Sequence, residues 1–456
     1  MSADTGAPRQ SLSVVQASTM LVGMVLGVFI FQAPTLAAMN TATPTQFLLL
    51  WLAGGVATMI GALCYAELAT TYPEEGGEYS YLKRAYGEGV GFLFAWGRMT
   101  VIQTGIIAGI AFAFGKYAQV IWPLGANGEA IYAVLSVAGL TALQLRGVQE
   151  TANTQSVLTA LEVLGLLLIA AIGFTVAKGL PPEAASAGGG NIGLAMVFIL
   201  LAYSGWNELS YISNDMKDVK RDMARVLVLG VIVVTVLYLL VNWAYISVLG
   251  LAGLRKTWTP AADLVGQAFG AAGAKVTALI VCAMALSTIN ASIFTGGRTS
   301  WALGHSFPLF RALGRSSASG DVPVNAILLQ GAICLALVGL GSTTRKGLEY
   351  MVDYTTPVFW LFMIGIGVAL FVLRAKDPGR ERPFKVPLYP VIPALWVCVT
   401  CYMFWSSLSY VFGVQWAKIS WGDTGVGAAL GLVILACGIP VYLLGRGARG
   451  GAAKHA

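Results

Sequence analysis

The sequence predicts an all-α integral membrane protein with twelve transmembrane helices. Two observations carry that expectation. Hydrophobic residues fill 57% of the 456 positions and charged residues only 11%, where soluble domains carry about 25% charged. The apolar residues also gather into twelve stretches, each long enough to cross a bilayer as a helix. A third observation sets the first stretch apart, because glycines fall at its middle in Gly23-Met24-Val25-Leu26-Gly27-Val28-Phe29.

In chain order the expected span cores are Val14–Asn40, Phe47–Leu68, Gly89–Ile121, Ala130–Leu145, Ser156–Val176 and Ile192–Asn214. The second half gives Arg225–Leu249, Ala274–Ile293, Asn325–Leu340, Tyr350–Leu373, Val391–Phe412 and Gly425–Leu444. The third span carries Arg98, the fifth Glu162, and the sixth has Ser204-Gly205 at its middle. Trp258 and Phe269 lie in the long connection 250–273, which has room for short helices over the outer mouth. An aromatic stripe of Tyr350, Tyr354, Phe359 and Trp360 marks the tenth span, where Thr355-Thr356-Pro357 reads as a helix break. Trp416 and Trp421 have the look of an interfacial belt.

The chain divides into a short N-terminal segment (1–12), ten helices (13–373), an inner linker with two more helices (374–444) and a tail (445–456). The tail is glycine, alanine and basic residues, the composition of an unstructured segment. Met1–Gln10 is polar, and the apolar stretch after it is longer than the core of a cleavable signal, so the first span is expected to be retained.

A net charge of +7 invites a nucleic-acid reading, but the charges are sparse and lie between apolar spans. Most of the 28 Lys and Arg fall in segments on one side, among them Lys217, Lys220, Arg221, Arg225, Arg374, Arg380 and Arg382. That bias places both termini in the cytoplasm of a cell-membrane protein, with a bacterial inner membrane expected. Enzyme chemistry is hard to build here. His305 and His455 are the only histidines, and neither has metal partners in sequence. Cys398 and Cys401 form the one close cysteine pair, inside an apolar helix, and read as small packing residues. No metal and no cofactor is expected.

The breaks point to a class of function. A spanning helix satisfies its own amides and carbonyls in lipid, and mid-span glycines weaken that self-sufficiency. Secondary transporters use such breaks to hold a solute near the midplane, in two halves of opposite topology. The first and sixth spans are five apart, as two such halves require. Amides at a half-helix N-terminus attract an anionic group, and carbonyls at the opposite end hold an ammonium or cation. One pocket with both suits a zwitterion, hence an amino acid. A channel or a non-transporting sensor is the alternative from another class.

Several motifs make the reading narrower. They are Ala66-Glu67-Leu68-Ala69-Thr70, Gly76-Gly77-Glu78-Tyr79, Tyr81-Leu82-Lys83-Arg84-Ala85-Tyr86-Gly87, Arg146-Gly147-Val148, Tyr203-Ser204-Gly205-Trp206-Asn207-Glu208, Asn290-Ala291-Ser292-Ile293-Phe294 and Arg382-Pro383-Phe384-Lys385-Val386-Pro387. In this order the chain resembles the amino acid–polyamine–organocation superfamily, near its bacterial amino-acid permeases and L-type amino-acid transporter branch. The resemblance runs from about Ser13 to Leu444. It implies a five-plus-five inverted-repeat core with discontinuous helices one and six, plus two peripheral helices. It further implies that a substrate carboxylate meets the first break while the amine meets carbonyls around both. The substrate-binding set so implied is Gly23, Gly27, Val28, Phe29, Leu201, Ala202, Tyr203, Ser204 and Gly205.

Three positions depart from the family. Its first-helix Gly-Ser-Gly aligns with Gly27-Val28-Phe29, so a hydroxyl is lost and a ring replaces a glycine. A sixth-helix Phe that caps substrate is Leu201 here, and Phe29 is the candidate to close the site from the other side. A fifth-helix Lys of many sodium-independent relatives aligns with Glu162. Burying a charge in a bilayer is costly, so intramembrane charges are suspects for function. A partly dry bundle disfavours an ionised carboxylate, which makes Glu162 a candidate to carry a proton inward with the substrate. The competing role is a sodium ligand beside Ser287 or Ser292, since hard cations prefer oxygen. Arg98 is expected in a structural pair with Glu67 or Glu88, and Tyr354 as an outer gate. Uncoupled exchange of amino acids or polyamines is the alternative mode of transport.

Overall fold

The computed structural model describes residues 14–73, 76–146, 148–177, 179, 191–211, 216, 218–315, 323–344, 346–413 and 425–452. Every extended element among them is helical. In chain order these are α1 (Val14–Val25), α2 (Ala33–Met39), α3 (Pro44–Thr71), α4 (Glu78–Tyr86), α5 (Glu88–Gly97), α6 (Gln103–Ile121), α7 (Gly128–Gln144) and α8 (Val148–Val176). Then come α9 (Ile192–Ala202), α10 (Val219–Leu254), α11 (Pro260–Ser306), α12 (Val324–Ser342), α13 (Gly347–Lys376), α14 (Val391–Gly413) and α15 (Val426–Ala452). Nine of the described helical segments are long and apolar enough to cross a membrane: α3, α5 continued into α6, α9 with the turn after it, and α10 to α15.

Local chemistry sets several starts. Thr43 accepts a hydrogen bond from the Gln46 amide ahead of Pro44 at the first turn of α3, pairing a side-chain cap with the residue whose missing N–H does no harm there. Asn191 caps the Leu194 amide in the same way at α9, and Asp218 the Arg221 amide at α10. Glycines bend two long helices, with Gly250 inside α10 and Gly270 inside α11 both at positive φ. The helical turns around these bends are the short helices expected in the 250–273 connection.

The interrupted first span runs through the middle of the bundle. Val28, Ile30 and Phe31 are fully buried, while Leu49, Leu164 and Trp405 lie on the outside, as lipid-facing residues should. Below α3, the short α4 folds back under the bundle. Gly77 opens it at φ 46°, and a side chain there would meet Ser210, with Oγ at 2.6 Å. Glu67 at the end of α3 ties this side together. It accepts from the Arg374 guanidinium and from the Val386 amide at 2.7 Å, with Arg382 at 3.6 Å.

Two local expectations are corrected. Thr355-Thr356-Pro357 does not break the tenth span, because α13 runs unbroken through Pro357. Thr355 and Thr356 both turn back to bond carbonyls of the preceding turn. The tail is not unstructured from residue 445, since α15 continues to Ala452. Trp416 and Trp421 lie outside the described residues. Cys398 and Cys401 are exposed free thiols, and no metal-holding cluster occurs among the described residues.

Candidate functional site between two interrupted helices

The first break lies between α1 and α2. The Leu26 amide closes the last turn of α1 on the Val22 carbonyl, Gly27 is extended (φ −77°, ψ 174°), and Val28–Phe31 forms a 3-10 turn before α2 begins. The second break follows α9. Ser204 turns both its amide and its hydroxyl onto the Leu201 carbonyl, and Trp206–Tyr211 continues as a 3-10 turn. Gly205, at φ 105°, presses against the Met24 carbonyl. The Tyr238 hydroxyl of α10 reaches carbonyls of both breaks, Val25 at 2.8 Å and Ala202 at 2.9 Å.

One pocket opens beside these segments. Gly23, Gly27, Phe29, Leu201, Ala202, Ser204 and Gly205 line it, seven of the nine residues in the expected set. The other two turn away. Val28 is fully buried, and the Tyr203 hydroxyl bonds the Trp51 carbonyl at 3.1 Å. Phe29 faces the bundle, its ring tip about a van der Waals contact from where a side chain on Gly109 would start. It therefore closes on the pocket wall and not on lipid.

Much of that wall is missing from the expected set. Phe94, Arg98, Ile102, Ile106 and Ile110 all line the pocket, spaced four apart along α5 and α6. In an α-helix such a stripe over-rotates by about 40° per step. Here Arg98–Ile102 forms a wider π turn, which rotates less per residue and keeps the stripe on one face. Such turns recur at functional sites. Beside it, Gln103 donates to the Ser292 carbonyl at 3.0 Å, and Thr288, Ser292, Thr295, Phe359 and Phe362 are among the other lining residues.

Arg98 does not pair with Glu67 or Glu88. Its Nη2 donates to both oxygens of Glu208 at 2.8 Å, and Nη1 lies 3.6 Å from Glu78. Glu78 also accepts from Tyr65 at 2.6 Å, Asn207 at 2.9 Å and Tyr211 at 2.9 Å. Glu67 is engaged elsewhere by Arg374. The sequence reading missed this because the partners come from α4 and the turn after α9, whose packing against α5 leaves no mark in the spacing of the charges.

Glu162 is fully buried on α8, and neither oxygen has a hydrogen-bond partner among the described residues. Facing contacts set its level. Gly165 packs on Ile280 and Met284, and Gly173 on Leu264, so α8 and α11 run antiparallel and Glu162 falls near the height of Ser287. Ser287 is buried and outside the pocket lining, while Ser292 lines it. Tyr354 does not line the pocket either. It is buried, and its hydroxyl donates to the Thr100 carbonyl at 2.9 Å.

A pocket between two interrupted spans of a helical membrane protein is the arrangement typical of small-solute carriers. An amino acid permease family model matches residues 12–434. Over 457 aligned residues the chain is 30% identical to large neutral amino acids transporter small subunit 2 of Mus musculus, covering 96% of this chain and 81% of that protein. It is 28% identical to b(0,+)-type amino acid transporter 1 of Homo sapiens, with 87% and 82% covered. The serine/threonine exchanger SteT of Bacillus subtilis is 24% identical, with 95% and 96% covered. The chain belongs to the amino acid permease family and is a membrane transporter, not an enzyme.

Proposed function

We propose that the protein moves a neutral amino acid across the cell membrane by alternating access, with residues 13–373 as the transport core. The observation that carries this is a pocket shared by two helix breaks that meet at Gly205 and Met24. The amide of Phe29, at the start of the second half-helix, suits a substrate carboxylate. Carbonyls at the ends of α1 and α9 suit its ammonium. Phe29, Ile106, Phe359 and Phe362 around them favour an uncharged, apolar side chain, in keeping with the neutral substrates in one relative's name.

In this reading α1 with α2, α7 and α8 join the nine long helical segments to give twelve crossings. The first ten form the five-plus-five inverted repeat, α14 and α15 are peripheral, and both termini face the cytoplasm. Glu162 is the coupling group. A buried carboxyl without a fixed partner is suited to carrying an exchangeable proton, whereas a sodium ion would call for several converging oxygens, with Ser287 and Ser292 as the candidates. Exchange without ion coupling is the second reading, suggested by the word exchanger in the Bacillus relative's name.

Reconstitution into proteoliposomes with each of the common L-amino acids, under an imposed proton gradient and then a sodium gradient, tests all three. The expected result is concentrative uptake of a neutral amino acid driven by protons, with Glu162→Gln retaining exchange but losing accumulation. Exchange that ignores both gradients would leave the second reading in place. No uptake or exchange of any amino acid would end the transport proposal.

A further inference from the structure

The pocket lining holds three charged groups that the proposed central site does not use, Glu78 among them. Arg98 and Glu208 are the other two. Glu208 lies one 3-10 turn past Gly205, about 6 Å farther along the chain. Arg98 is eleven residues from Gly109, the residue beside Phe29, which is about 16 Å along the helix. These charges therefore belong to a different level of the pocket from the Phe29 end.

Their pairing is incomplete. Arg98 is 2% exposed, yet its Nε has no hydrogen-bond partner among the described residues. Glu208 takes both its bonds from the single nitrogen Nη2. A guanidinium binds a carboxylate best through two parallel N–H donors, here the Nε and Nη2 edge. That edge is half used. Glu208 is also the most accessible member of the cluster, its side chain 18% exposed against 3% for Arg98 and 1% for Glu78.

We infer that Arg98 and Glu208 form a second, transient station for a zwitterionic α-amino acid on the Arg98 side of the central site. The incoming carboxylate takes Nε and Nη2 together, and Glu208, released from Nη2, accepts the substrate ammonium. One ion pair becomes two, with the charges still balanced. Glu78 stays behind Arg98, held by Tyr65, Asn207 and Tyr211, and keeps the guanidinium in place during the exchange of partners. The stacking of Arg98 on the Tyr211 ring, 4.5 Å away, fixes its plane. Because Glu208 lies on the turn that follows the second break, occupation of this station pulls directly on that break.

The inference rests on the transport reading, and its test separates the two. Proteoliposomes carrying the full chain in one orientation are assayed with labelled L-leucine, L-alanine and L-serine in turn, with substrate varied on each side. The quantity read is the ratio of half-saturating concentrations, Arg98 side over opposite side. Glu208→Gln and Arg98→Lys are each expected to raise that ratio about tenfold, and Glu208→Asp to recover part of it. A fall in maximal rate with the ratio unchanged would make the pair a structural clamp and overturn the second station. Should Arg98→Lys fail to insert, Glu208→Gln and Glu208→Asp decide. If the wild type transports none of the common L-amino acids, the transport reading fails and the station with it; a transported substrate outside these three replaces them in the assay.

Discussion

Replacing Gly205 with alanine tests the contact that joins the two breaks. At φ 105° the backbone is in a region that L side chains rarely adopt, at a penalty of about 1–2 kcal/mol. The added methyl would also push into the Met24 carbonyl, with the carbonyl carbon at 2.9 Å. Backbone cannot swing aside as a side chain can, so a crowding penalty of about 1–3 kcal/mol adds to the strain. Gly27 provides the contrast. Its φ is an ordinary −77°, and a methyl there would meet the Thr288 side chain at 3.5 Å and the Val25 carbonyl at 4.0 Å, both normal contacts. Thermal unfolding of the purified proteins and initial uptake rates in proteoliposomes give the two measures. Gly205→Ala is expected to lower Tm by several degrees and uptake at least tenfold, and Gly27→Ala to lose less on both. Wild-type Tm and uptake in Gly205→Ala, or a larger loss in Gly27→Ala, would refute the proposed contact.

Phe29→Gly should admit bulkier side chains, seen as a shift in the ranking of competing amino acids; an unchanged ranking would take Phe29 off the substrate's path. Glu162→Leu removes two buried oxygens that lack partners, a desolvation penalty of about 1–3 kcal/mol, so Tm should rise while gradient-driven accumulation is lost. A drop in Tm would mean that Glu162 is held by a structural partner. Glu67→Ala strips partners from Arg374, Arg382 and the Val386 amide at once. Breaking a buried pair from one side costs about 3–5 kcal/mol, so Tm should fall clearly, and an unchanged Tm would show that this anchor contributes little.

The two breaks were legible in the sequence because glycine and serine at mid-span stand out against an apolar background. Phe29 could be singled out through the family resemblance, which puts a glycine at its position. The five-residue stripe from Phe94 to Ile110 was present in the spacing, but a strict α-helical period smears it and the π turn that restores it leaves no clear residue signature. The partners of Arg98 could not be found by counting along the chain. Glu78 reaches it only because Gly76 and Gly77 fold α4 under the bundle, and Glu208 only because the helix stops at Ala202. Thr355-Thr356-Pro357 illustrates the opposite failure. The proline suggested a helix break, but threonine hydroxyls bonded within the preceding turn accompany an α13 that passes straight through.

The Tyr238 hydroxyl carries one proton and faces two acceptors, the carbonyls of Val25 and Ala202. It can serve them together only while both half-helices stay within its reach. Once the breaks separate, one carbonyl is stranded in a place with little water, and a stranded carbonyl is expensive to keep. A bound ammonium group can supply the missing donor, but an empty pocket cannot. The loaded protein should therefore turn over more readily than the empty one. In proteoliposomes that asymmetry would appear as faster loss of internal label when substrate is present outside than when it is absent.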